Sequence, residues 1–125
     1  RDRLMGKNDF LARRAAREQE CFNAGARMGR QQMCDFISLA LRDPETMGKD
    51  TFSGKRIVRV MQRVNRLLDE FYPAFEQGPE ADYYQEMLDK QLREAYGEEI
   101  REGFYGFHER YEIFKKFDYQ SGRWK

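Results

Sequence analysis

Gly54-Lys55-Arg56-Ile57-Val58-Arg59-Val60-Met61-Gln62-Arg63-Val64-Asn65-Arg66-Leu67-Leu68-Asp69-Glu70-Phe71 is a stretch with two faces. Ile57, Val60, Met61, Val64, Leu67, Leu68 and Phe71 recur at steps of three and four, the period of a helix with a wide apolar stripe. At about 100° per residue, Arg56, Arg59, Arg63 and Arg66 fall within roughly 80° of one another, displaced from that stripe. Thr51 or Ser53 can cap this helix, and Pro73 interferes with it beyond about Tyr72. The chain therefore offers an apolar seam to build with and an arginine side to bind with.

Upstream lies a hinge, Asp43-Pro44-Glu45-Thr46-Met47-Gly48-Lys49-Asp50-Thr51-Phe52-Ser53. Pro44 ends the preceding helix near Arg42, because proline disfavours helical geometry in the residue before it. That first helix is long. Asn8 or Asp9 can cap it, and Phe22, Gly25, Ala26, Gly29, Met33, Phe36, Ile37 and Ala40 follow its apolar face. Two glycines on one helix face cost roughly 1 kcal/mol each relative to alanine. They suggest close approach of another helix, the alternative being a kink.

Downstream, Gly78-Pro79 resets the chain, and Pro79 or Glu80 starts a third helix packed through Tyr83, Tyr84, Met87, Leu88, Leu92 and Tyr96. Gly97 ends it. From Glu98 onward, Ile100, Phe104, Phe107, Tyr111, Phe114 and Phe117 stand at roughly helical steps broken by Gly103 and Gly106. They read as one or two short helices packing aromatics. Ser121–Lys125 is expected to be loose unless Trp124 docks. With no strand alternation or repeat, the chain reads as all-α. It is expected to be a single helical domain over 1–125, a small bundle of four to five helices, partly elongated, with 1–8 and 119–125 flexible.

Composition sets bounds on function. In 125 residues, 40% are apolar, 36% charged and 14% aromatic, which suits amphipathic helices around a thin core. The net charge of +1 hides an asymmetry: 1–70 is basic by five charges, 71–100 acidic by six and 101–125 basic by two. The basic and acidic regions can pack on one another, or each can face a partner. Cys21 and Cys34, on one helix, stand roughly 20 Å apart, too far for a disulfide. They suit an intracellular protein, and no run is apolar enough to span a membrane.

Catalytic chemistry finds little footing. One histidine and two cysteines cannot make an ordinary structural zinc site. Glu80, Asp82, Glu86 and Asp89 read as a solvated face, with no Glu-x-x-His pair beside them. His108 could form a dyad with Cys21 or Cys34 only if the fold converged them. Gly48-Lys49 and Gly54-Lys55 resemble a phosphate loop, but five residues separate the glycines where that loop has four, and Arg56 replaces its Ser/Thr. The chain is thus expected to be no enzyme and to hold no cofactor or metal. The binding candidates are Lys49, Lys55, Arg56, Arg59, Arg63 and Arg66, whose cationic groups suit phosphates or carboxylates. They fit a helix-turn-helix-like DNA regulator, a protein-binding surface, or internal pairing with the acidic third helix.

Read as a string, Phe22-Asn23-Ala24-Gly25-Ala26-Arg27-Met28-Gly29-Arg30-Gln31-Gln32-Met33, with Asp43-Pro44, Met47-Gly48-Lys49-Asp50-Thr51-Phe52 and Ala81-Asp82-Tyr83-Tyr84-Gln85-Glu86, resembles small accessory proteins of Firmicutes prophages and mobile elements. Some small proteins of that setting are anti-CRISPR inhibitors. The resemblance implies a phage-type binding protein, and the partner expected for it is a type II CRISPR-associated nuclease with its guide RNA. It implies no contact residues. A structural oligomer or homodimer joined through the Gly25/Gly29 face is a third reading.

Overall fold

The computed structural model describes residues 2–76, 78–100, 103–118 and 121–125, with side chains described from Gly6 onward. The expectation of flexibility at Arg1, Tyr119 and Gln120 lies outside these residues. The fold is all-α with a long first helix: α1 (Asp2–Arg42), α2 (Pro44–Met47), α3 (Gly54–Glu70), α4 (Ala81–Tyr96) and α5 (Phe107–Arg110). A two-residue pair of strands, β1 (Phe117–Asp118) and β2 (Arg123–Trp124), is an addition that the sequence did not announce. The chain forms two compact units, 1–64 and 65–125.

In the first unit, α1 begins upstream of the expected cap. Asp9 does not cap it; its carboxylate pairs with Arg13 one turn on, at 2.9 Å. Arg14–Glu18 (3.2 Å), Gln19–Asn23 (3.1 Å) and Gln31–Asp35 (2.7 Å) repeat that i,i+4 spacing. Such pairs stabilise a solvated helix by about 0.2–0.5 kcal/mol each. The helix runs unbroken through Gly25 and Gly29, so it is not split there. Close packing within the chain is also overturned: nothing described lies within 4 Å of a Cβ built on either glycine.

The hinge is ordered by its own side chains. Asp43 caps α2, accepting from the Glu45 amide at 3.1 Å and from the Thr46 hydroxyl at 2.8 Å. Pro44 occupies the first helical position, where its missing N–H costs nothing. Gly48, at φ +59°, terminates the turn and donates its amide to Pro44 O at 2.8 Å. The Phe52 amide then bonds back to Leu41 O at 2.8 Å, tying the hinge to the end of α1. Ser53 is the cap of α3, its Oγ accepting from the Arg56 amide at 3.4 Å.

The second unit holds every buried apolar residue among those described: Phe71, Ala74 and Phe107. A 3-10 turn at Tyr72–Phe75 follows Phe71, and Gln85 of α4 reaches it, donating Nε2–H to Ala74 O at 2.9 Å. Gly97, at φ +57°, stops α4 as expected. The aromatics beyond it gather on α5 and a second 3-10 turn, Glu112–Lys115. Phe75 packs its ring 5.4 Å from Phe107 and edge-on to Tyr111 at 5.0 Å, and Tyr111 stacks on Phe114 at 5.6 Å. Trp124, still 71% exposed, sets its ring edge-on to Phe117 at 5.2 Å, and the Lys125 amide bonds to Lys116 O at 2.8 Å. Ser121–Lys125, expected to be loose unless Trp124 docked, thus contains β2, which pairs antiparallel with β1.

Candidate binding surface

α3 is regular from Gly54 to Glu70, so the residues expected to share a side do share it. Lys55, Arg56, Arg59 and Arg63 belong to the first unit and are all exposed. Arg66, also exposed, falls on the stretch of α3 assigned to the second unit. Lys49 lies off the helix, in the exposed turn after α2. Within the first unit the group is therefore Lys55, Arg56, Arg59 and Arg63 along one helix, with Lys49 in the preceding loop.

Phe52 organises the head of this stripe. The Arg56 guanidinium lies 3.9 Å from the centre of the Phe52 ring, a cation–π contact. Arg42 reaches the same residue, donating Nη1–H to Phe52 O at 3.5 Å. Phe52 is half-buried and so serves as a platform that limits how far Arg56 can move. Sequence reading missed this role; the signal was an aromatic four residues before an arginine at a helix start.

The phosphate-loop reading fails in the structure as it does in the sequence. Ser53 Oγ already takes the Arg56 amide, one of the free donors that a phosphate at the helix start would need. Helix-turn-helix geometry is also a poor match. The eleven residues Asp43–Ser53 between α1 and α3 contain a helical turn of their own, where that motif uses three or four.

Opposite the arginines, the seam of α3 is only partly covered. Ile57, Val60, Met61, Val64 and Leu67 are half-buried and Leu68 is exposed. On α1, Met28, Met33, Phe36 and Leu39 are each about three-fifths exposed or more. Among the described residues of the first unit, none is buried.

The acids of α4 do not behave as one solvated face. Asp89 is 16% exposed, and its Oδ2 accepts from the Phe107 amide at 2.9 Å. Its Oδ1 accepts from Arg110 Nη1 at 2.8 Å, and Arg110 also donates to Tyr105 O at 2.5 Å. Phe104 lies under two guanidiniums, Arg93 at 4.8 Å and Arg110 at 5.3 Å. Glu80, Asp82 and Glu86 are not gathered into that cluster. Asp89 is thus a structural residue that sequence reading placed on a bland surface.

The second unit also carries a pocket of about 340 Å³, half open to solvent, beside Phe75, Phe107, Tyr111 and Phe114, with Gln85 in its wall. Among the described residues, Gln85 Oε1 and Arg110 Nη2 are buried without a hydrogen-bond partner. His108 packs its ring edge-on to Phe107 at 5.7 Å. Among the described residues, no three His, Cys, Asp or Glu side chains converge as a metal site requires, and no helix is long and apolar enough to cross a membrane. No family model matches the chain, and neither a curated protein nor a solved structure matches it.

Proposed function

We propose that the protein works by binding rather than by chemistry, as a phage-type inhibitor that docks on a type II CRISPR-associated nuclease carrying its guide RNA. One observation carries the binding reading. Along α3 of the first unit a half-buried apolar seam lies beside an exposed basic side, and no described residue of that unit is buried. Apolar surface left in water forgoes about 25 cal/mol per Å², so a seam kept half-open is a surface that gains when a partner covers it. Lys55, Arg56, Arg59 and Arg63, with Lys49 before them and Arg66 after, are the groups that would grip RNA phosphate or partner carboxylates. The nuclease is the partner that the sequence resemblance suggests.

The test is target cleavage by purified nuclease, guide and DNA with the protein in molar excess. Cleavage should be blocked for at least one type II enzyme, and unchanged cleavage across several overturns the reading. Salt-dependent binding of duplex DNA that weakens in Arg59→Ala and Arg63→Ala, with no effect on cleavage, would favour the DNA-regulator alternative.

A further inference from the structure

We propose that Arg42, Lys55, Arg56 and Arg59 grip the phosphate backbone of a single strand of nucleic acid, with Phe52 positioning two of the three guanidiniums. The inference rests on the reading of α3 as a binding surface and decides what that surface holds. It does not need the nuclease.

The first ground is charge without a counterion. Among the described residues, none of Arg42, Lys49, Lys55, Arg56 and Arg59 is paired with a carboxylate, whereas Arg13, Arg14 and Arg110 each are. All five are exposed. α3 has no Asp or Glu before Asp69, and Glu45 and Asp50 of the hinge pair with none of the five. Lys55 and Arg56 stand in the first turn of α3, which holds no acidic residue. Cations at that end oppose the helix dipole. The fold carries a group of like charges that a bound anion relieves.

The second ground is that two of the cations come from different helices and meet at one residue. Arg56 holds its guanidinium 3.9 Å from the centre of the Phe52 ring. Arg42, in the last turn of α1, donates Nη1–H to the carbonyl of the same residue at 3.5 Å. Neither contact neutralises a charge. Each restricts a long side chain, so less rotamer freedom is left to lose when a ligand arrives. Arg42 joins the α3 cations only through the fold.

The third ground selects the occupant. Within the first unit the exposed side of α3 carries Lys55, Arg56, Arg59, Gln62 and Arg63, and Val58 is its one exposed apolar side chain. Protein interfaces use arginine too, but set it among aromatic and aliphatic anchors. Phosphate and sugar oxygens are contacted by arginine, lysine and side-chain amides, which is the composition found here. Lys55 and Arg59 stand about 6 Å apart along the helix axis, close to the separation of neighbouring phosphates on one strand. The row is also narrow. Lys55, Arg56 and Arg59 fall within about 100° around the axis, and the opposite side is the half-buried apolar seam. A helix seated in a duplex groove has a backbone on each flank and needs cations on both. α3 has them on one, so the row fits one strand.

Fluorescence anisotropy of a labelled oligouridylate and a labelled oligothymidylate, with the full chain alone, tests this. At least one strand should bind, with the logarithm of the association constant falling against that of salt at a slope of about −3 for four phosphates neutralised. Arg42→Ala and Arg59→Ala should each weaken binding severalfold and flatten that slope by about one unit. Phe52→Leu removes the ring but no charge, so it should weaken binding about threefold at an unchanged slope. Phe52→Tyr keeps the ring and should bind as the wild type does. If Phe52→Leu loses helical circular dichroism, Arg42→Ala still decides, because Arg42 is exposed.

The proposal is overturned by no binding of either strand at low salt, or by Arg42→Ala binding at wild-type strength. Tighter binding of the duplex formed on the same oligothymidylate overturns it as well, as does tighter binding of polyglutamate. Strand binding with unchanged target cleavage keeps this inference and removes the nuclease reading. Blocked cleavage with no strand binding does the reverse.

Discussion

Asp89 holds the amide of Phe107 from eighteen residues away, its Oδ2 2.9 Å from the nitrogen, while its other oxygen holds Arg110 at 2.8 Å. One carboxylate thereby caps the first turn of α5 and neutralises the guanidinium at the end of that turn. Because α5 is a single helical turn, it has too few internal hydrogen bonds to persist alone. Asp89 supplies from α4 what α5 lacks.

Asp89→Asn keeps the shape and removes the charge, leaving Arg110 in a place where it is only 24% exposed. The expected loss is about 2 kcal/mol. It can be followed by urea unfolding with the fluorescence of Trp124, the one tryptophan, which lies in the same unit. Arg110→Gln should cost clearly less in a chain that already carries Asp89→Asn than it does alone, because the pair is coupled.

Phe107, 3% exposed, lies at the centre of the aromatic cluster with Phe75, Tyr111 and Phe114 around it. Phe107→Ala should cost about 3–5 kcal/mol, the lost transfer energy plus the cavity left behind. Near-ultraviolet circular dichroism should lose the aromatic signal. An unchanged spectrum would mean that the cluster does not hold the unit.

The hinge depends on two residues with different physics. Asp43→Ala removes the cap of α2 and should lower stability by about 1 kcal/mol. Gly48→Ala forces a side chain into φ +59° and should lower it by a similar amount, about 1 kcal/mol. Since both act on one turn, a thermal melt of the double variant should show less than the sum.

Lys55 and Arg59 are exposed, so their replacement by alanine should change stability by no more than about 0.5 kcal/mol. Binding to a single-stranded RNA should respond differently. If the stripe contacts phosphate, each substitution should weaken binding and flatten the salt dependence by about one unit of slope. A titration at several salt concentrations separates the two effects.

Element boundaries set by local chemistry were legible in the sequence. Pro44 ended α1 at Arg42, Ser53 started α3, and Gly97 closed α4 with positive φ, each through geometry that one or two neighbouring residues impose. α1 overran its expected start, and Asp9, inside the helix, pairs with Arg13 one turn on instead of capping it. The basic stripe was legible for the same reason as the boundaries: helical spacing alone puts Lys55, Arg56, Arg59 and Arg63 on one side.

The sequence by itself determined an all-α chain, its long first helix, its breaks and the side of α3 on which the arginines stand. All of these follow from periodicity and from residues that act on their own turn. Only the tertiary structure decided that Asp89 is structural while Glu80, Asp82 and Glu86 are not, since carboxylates along a helix look alike until a distant segment returns to one of them. It decided that Phe52 carries Arg56 and that Trp124 folds back onto Phe117. It also decided that Gly25 and Gly29 meet nothing among the described residues of their own chain. A glycine on an apolar face permits a close approach, and whether any surface approaches is a fact of packing that local sequence does not contain.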